Sequence, residues 1–104
     1  EWCIWENNMF KVVVPHEVTE LYEEGRKLHH FVGSYGRMVS DGKCVVAFIR
    51  RKGEEDIPLC TVEICKKEIV QARGMCNKSA DQMPKVRSFI KQWAKEKGLT
   101  YEAA

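Results

Sequence analysis

"LCTVEICKKEIVQARG", residues 59–74, holds two short runs rich in β-branched residues that meet over Lys66 and Lys67. Two such runs with a tight connection read as a β-hairpin. Its register decides which side chains face a core. A two-residue connection sets Glu63 opposite Val70 and mixes polar with apolar residues on both faces. A three-residue connection sets Glu63 opposite Gln71 and Thr61 opposite Arg73. Val62, Ile64, Val70 and Ala72 then share the other face. Strand side chains alternate with period two, so a one-residue slip exchanges the faces. The second register separates polar from apolar, apart from Ile69, and is the one predicted.

Upstream, "KCVVAFIRR" (43–51) carries apolar residues on both parities from Cys44 to Ile49, the pattern of a central strand buried on two sides. "KGEEDIP" (52–58) is a charged loop. "MFKVVVP" (9–15) is a β-branched run closed by Pro15, hence a strand, with its orientation open. Beyond Pro15 the period changes. Val18, Leu21, Tyr22, Gly25 and Leu28 recur at spacings of three and four, which predicts a helix. Glu17, Glu20, Glu23 and Glu24 favour its N-terminal half, and Arg26 and Lys27 its C-terminal end, as the helix dipole prefers.

"MCNKSADQMP" (75–84) reads as a loop, with Asp81 as a helix N-cap and Pro84 in the first turn. Val86, Phe89, Ile90, Trp93 and Ala94 form one apolar stripe, and Gly98 ends the helix as a left-handed cap. The predicted fold is α+β: an antiparallel meander of three to four strands with two main helices, in the order β-α-β-β-β-α.

A chain of 104 residues is one domain and can bury roughly two-thirds of its unfolded surface without disulfide staples. No apolar run is long enough to span a bilayer and no signal peptide is apparent, so no membrane partner is expected. The five cysteines, Cys3, Cys44, Cys60, Cys65 and Cys76, are odd in number and contain no C-x-x-C pair. That spacing fits neither a zinc ribbon nor a regular disulfide framework. Cys60 and Cys65 differ in parity and should face opposite sides. We therefore expect no metal, no cofactor and a reducing, cytoplasmic setting. The start "EWCIWENN" lacks methionine and carries two tryptophans, which suggests a missing N-terminal part of the same chain.

Net charge is +2, too small to imply nucleic acid by itself. Its distribution says more. Lys85, Arg87, Lys91, Lys95 and Lys97 crowd the last helix against Glu96 alone. Between the two helical patterns lies "LHHFVGSYGRMVSDG" (28–42). His30 is a candidate general acid or base. His29 points roughly 100° away on a helix. Ser34 lacks a G-x-S-x-G elbow, so a serine hydrolase is unsupported. Gly33 and Gly36 form no phosphate loop. Tyr35 is a candidate donor, and Arg37, Arg50 and Arg73 can bind carboxylate or phosphate in a fork. Glu63 is costly to bury unpaired. It is either an acid in a site or the ion-pair partner of Arg73 or Arg50.

"EEGRKLHHFVGSYGRMV", "VVAFIRR", "TVEI", "IVQARGMCN" and "VRSFIKQWAK" together resemble the PcfJ-like family, in order and spacing, over roughly residues 14 to 95. The resemblance implies a region of a longer protein associated with conjugative plasmids and other bacterial mobile elements. It brings no catalytic mechanism. The family's L-H-H-C-V-G-x-Y pattern falls on Leu28, His29, His30, Phe31, Val32, Gly33 and Tyr35, and this chain departs at Phe31, where the family has cysteine. A cysteine nucleophile at that position is impossible here. The remaining motifs fall on Arg50, on Thr61, Val62 and Glu63, and on Gln71, Arg73, Gly74 and Asn77.

Three functions follow as expectations. The first is a mobile-element accessory domain that binds nucleic acid or a mobile-element protein through Lys85, Arg87, Lys91 and Lys95, with His29, Arg37, Arg50, Gln71 and Asn77 as further binding residues. The second is an enzyme on a phosphate-containing substrate, with His30, Tyr35, Glu63 and Arg73 as catalytic residues. The third is a non-catalytic protein-interaction module.

Overall fold

The structure, a computed structural model, describes residues 2–17, 19–20, 23–24, 26, 44–74 and 79–101. Strands β1 (Phe10–Val13), β2 (Cys44–Arg51), β3 (Cys60–Cys65), β4 (Glu68–Arg73) and β5 (Thr100–Tyr101) form one sheet in sequence order. Helix α1 (Pro84–Lys97) lies between β4 and β5 and follows a 3-10 turn at Ala80–Gln82. The predicted fold class needs correction. The sheet has five strands and is mixed, because β5 runs parallel to β4 while the other pairs are antiparallel. The described elements include one long helix, so the two-helix order β-α-β-β-β-α is not the order observed. Most residues of the helix predicted after Pro15 lie outside those described. β5 escaped the sequence reading because two residues carry no alternation. Pairing with β4 creates it, anchored where the Thr100 N–H donates to the Lys67 carbonyl at 2.9 Å.

The β3–β4 hairpin contains both registers weighed from sequence. Far from the turn, Thr61 pairs Arg73, Val62 pairs Ala72 and Glu63 pairs Gln71, as predicted. Near the turn the register slips by one, so that Ile64 pairs Ile69 and Cys65 pairs Glu68. Val70 is the extra residue of a β-bulge, which leaves one residue unpaired and bends its strand. The bulge corrects one predicted position. Val70 is exposed and Ile69 is buried beside Ile64, so the exception in the predicted pattern disappears. The connection itself is the two residues Lys66 and Lys67, with φ of 53° and 66°. Two successive left-handed residues are what a two-residue hairpin turn matching strand twist requires.

One face of the sheet is the core. Phe10, Val12, Ala47, Ile49, Cys60, Val62, Ile64, Ile69 and Ala72 meet the predicted stripe of α1, all five of whose residues are buried. The residue before the helix is Met83 rather than Asp81, which falls in the 3-10 turn. Gly98 closes the helix at φ 68° and donates its N–H to the Ala94 carbonyl. Residues 2–7 fold against this layer. The indole of Trp93, fully buried, donates to the Cys3 carbonyl at 2.7 Å, and Trp5 packs on Phe89 with ring centroids 5.5 Å apart. No helix among the described residues is long and apolar enough to cross a membrane.

Candidate functional site

The opposite face of the sheet is built by register alone. Pairing places Val13, Phe48, Thr61 and Arg73 in one row, Val46, Glu63 and Gln71 in the next, and Cys44, Cys65 and Glu68 in a third. Lys11 and Arg50 make the row beyond Phe48. The polar residues predicted to share a face do so. Gly74 follows them because the chain passes close to its neighbours there. A Cβ at Gly74 would stand 2.8 Å from the Met83 Cε and 3.0 Å from the Leu59 carbonyl oxygen.

Arg50 is buried and fully engaged. Its Nη1 donates to Glu24 Oε2 at 2.7 Å and its Nη2 to Glu24 Oε1 at 2.5 Å, a two-pronged pair. Its Nε donates to the Glu55 carbonyl at 3.1 Å, and its guanidinium lies 4.9 Å from the centre of the Phe48 ring. Thr61 Oγ1 donates to Glu24 Oε2 at 3.4 Å. In the sequence Glu24 is one of four acids that favour the N-terminal half of a helix. Its burial, at 2% exposure, could not be seen from a helix pattern that places acids at three- and four-residue spacing all along one segment.

Glu24 and Arg50 line a cavity of about 300 Å³ whose rim carries Glu20, Glu23, Glu55 and Asp56. The Gly53 N–H donates to Glu55 at 2.8 Å, and this backbone bond holds the Glu55 carboxyl below its ordinary range, so that it stays ionised. The cavity therefore presents carboxylates around one arginine whose charge is already met. It suits a phosphate poorly.

Glu63 is 6% exposed and pairs with neither Arg50 nor Arg73, so the ion pair, one of its two readings from sequence, is not formed. No described residue bonds its carboxyl, and burial pushes its pKa up. Arg73 Nε is buried with no hydrogen-bond partner among the described residues. Of the proposed catalytic group, Glu63 and Arg73 thus share the polar face in adjacent rows. His30 and Tyr35 lie outside the described residues, as do His29, Arg37 and Asn77.

The cysteines depart from expectation. Cys44 and Cys65 are direct cross-strand partners joined by a disulfide, with Cα atoms 4.4 Å apart. The signal was present: Cys44 opens one strand and Cys65 closes the next, so antiparallel pairing brings them together. Cys60 does face the opposite side. It is fully buried in the core, and desolvation pushes its thiol up to about 12. Among the described residues, Cys44, Glu63 and Cys65 form the group whose possible metal-ligating atoms lie within 4.8 Å of one another.

On α1, Lys85, Lys91 and Lys95 are exposed and Arg87 is half-buried. Arg87, Lys91 and Lys95 follow at four-residue spacing and make one row along the helix.

Comparison with known proteins agrees with the motifs. The family described as PcfJ-like protein matches residues 3–86. The chain is similar to the uncharacterized protein Lin1253/Lin1744 of Listeria innocua serovar 6a, at 30% identity over 87 residues. That alignment covers 82% of this chain and 19% of the relative, so the chain spans about a fifth of the relative's length. No solved structure matches the chain.

Proposed function

This chain belongs to the PcfJ-like protein family, and we propose that it is a nucleic-acid-binding accessory module of a mobile element, acting through the outer face of α1. The carrying observation is the charge arrangement of that helix. It bears Lys85, Arg87, Lys91, Lys95 and Lys97 against Glu96, and no acid stands in its first turn. Like charges at four-residue spacing destabilise a helix by roughly 0.2–0.5 kcal/mol per pair. A first turn without acids forgoes the favourable interaction with the helix dipole. Lys95 and Lys97 in the last turn suit the helix dipole, but the bare first turn and the row Arg87, Lys91 and Lys95 do not favour the isolated helix, and a phosphate backbone along that row offsets its repulsion. The acidic cavity around Arg50 supports this choice over an enzyme working on phosphate there.

The test is a salt titration of binding to DNA and RNA, single- and double-stranded. Each neutralised phosphate contributes about 0.9 to the slope of log K against log salt on B-DNA. Lys91→Gln with Lys95→Gln should flatten the slope by roughly two units and alter sequence preference little. The absence of association with any of these polymers at low salt would reject the reading.

A further inference from the structure

We propose that Cys44, Cys65 and Glu63 form, once their disulfide is reduced, a binding site for one soft divalent cation of the zinc type. Three observations converge. The candidate ligand atoms of all three residues lie within 4.8 Å of one another. The backbone already holds them in place: Cys44 and Cys65 are register partners, and Glu63 stands two residues before Cys65 on the same face. Glu63 is the independent pointer. It is 6% exposed, sits beside the sulfurs and has no hydrogen-bond or ion-pair partner among the described residues. A carboxylate left so is costly, and a cation bound beside it removes that cost. Two thiolates and one carboxylate suit zinc, which takes sulfur and oxygen ligands in tetrahedral geometry. Three protein ligands leave a fourth position for water or another group.

The disulfide and the metal exclude each other, which makes the site redox-gated. Two equivalents of a small-molecule thiol reduce the S–S bond to two protein thiols and leave as one small-molecule disulfide. Binding the cation then releases the two thiol protons to solvent. Cys60 does not compete, because it faces the core on the other side of the sheet.

The experiment is a Co²⁺ titration of the protein reduced with a phosphine, which does not itself supply thiolate. Reduced protein should bind one Co²⁺ with a strong sulfur-to-cobalt absorption that Zn²⁺ displaces. Oxidised protein should show none. Cys65→Ser should abolish the band. Glu63→Gln should retain some absorption but weaken binding at least tenfold, and its circular dichroism should match the parent. Cys76→Ser should leave the band intact. A reduced, folded parent without the band overturns the proposal. So does Glu63→Gln binding as tightly as the parent, or loss of the band in Cys76→Ser.

Discussion

Taking Glu24 and Arg50 out of water together forfeits hydration that only good geometry restores. The two-pronged pair, the Glu55 carbonyl and Thr61 provide it. Such a pair contributes little net stability relative to a well-packed apolar pair, yet breaking one side strands a buried charge and costs about 3–5 kcal/mol. Glu24→Gln should therefore destabilise the protein by about that amount in chemical denaturation. Glu24→Leu with Arg50→Met should cost far less than the single change. If Glu24→Gln costs under about 1 kcal/mol, the pair does not hold the polar face together. The same bonds engage the Arg50 donors within the protein, although arginine is the kind of residue that a sequence offers for binding. An arginine's donors are visible in sequence, but whether they are already taken depends on a carboxylate 26 positions away.

The hairpin of β3 and β4 shows how far patterns reach at the level of elements. Alternation located both strands and the pairing of Thr61, Glu63 and their partners, because one misplaced residue would have put charge into the core. The bulge at Val70 is not legible, since alternation defines a register only where pairing is uniform and a bulge joins two registers in one hairpin. The stripe of α1 was fully legible because a buried face imposes its period on the sequence. The turn holds a local conflict. Lys66 and Lys67 both occupy left-handed backbone, which disfavours a residue with a Cβ by roughly 1–2 kcal/mol. Asparagine tolerates that region better, so Lys66→Asn should stabilise the protein by roughly 0.5–1 kcal/mol. Lys67→Gly should gain less. The Lys67 ammonium lies 4.3 Å from the centre of the Trp2 ring, and losing such a contact forfeits about 0.5–1 kcal/mol. Thermal melts of the two variants should rank Lys66→Asn above Lys67→Gly. The reverse order would mean that the Trp2 contact carries no weight.

Across the whole molecule, the two faces of the sheet are stabilised by different means. The core face is covered by α1 and by residues 2–7, and its apolar members were largely readable because burial selects for them. The other face combines Phe48 and Val46 with a buried ion pair, the buried Glu63 and the Cys44–Cys65 bond. Its chemistry was only partly readable, because partners such as Glu24 come from a distant segment. The disulfide ties β2 to β3 across a sequence separation of 21 residues. Closing a loop of that length removes unfolded-state entropy worth about 3 kcal/mol in the chain-entropy account. For a protein near this size, 1 kcal/mol moves the melting temperature by roughly 4–8 °C. Reduction by a phosphine in the presence of a chelator should therefore lower the melting temperature by roughly 10–20 °C, with β-sheet circular dichroism retained below the transition. Cys44→Ala with Cys65→Ala should melt near the reduced parent and ignore the reductant. A shift under about 2 °C in the parent would show that the polar face owes its stability to packing and to the Glu24–Arg50 pair, with the disulfide contributing almost nothing to the folded chain.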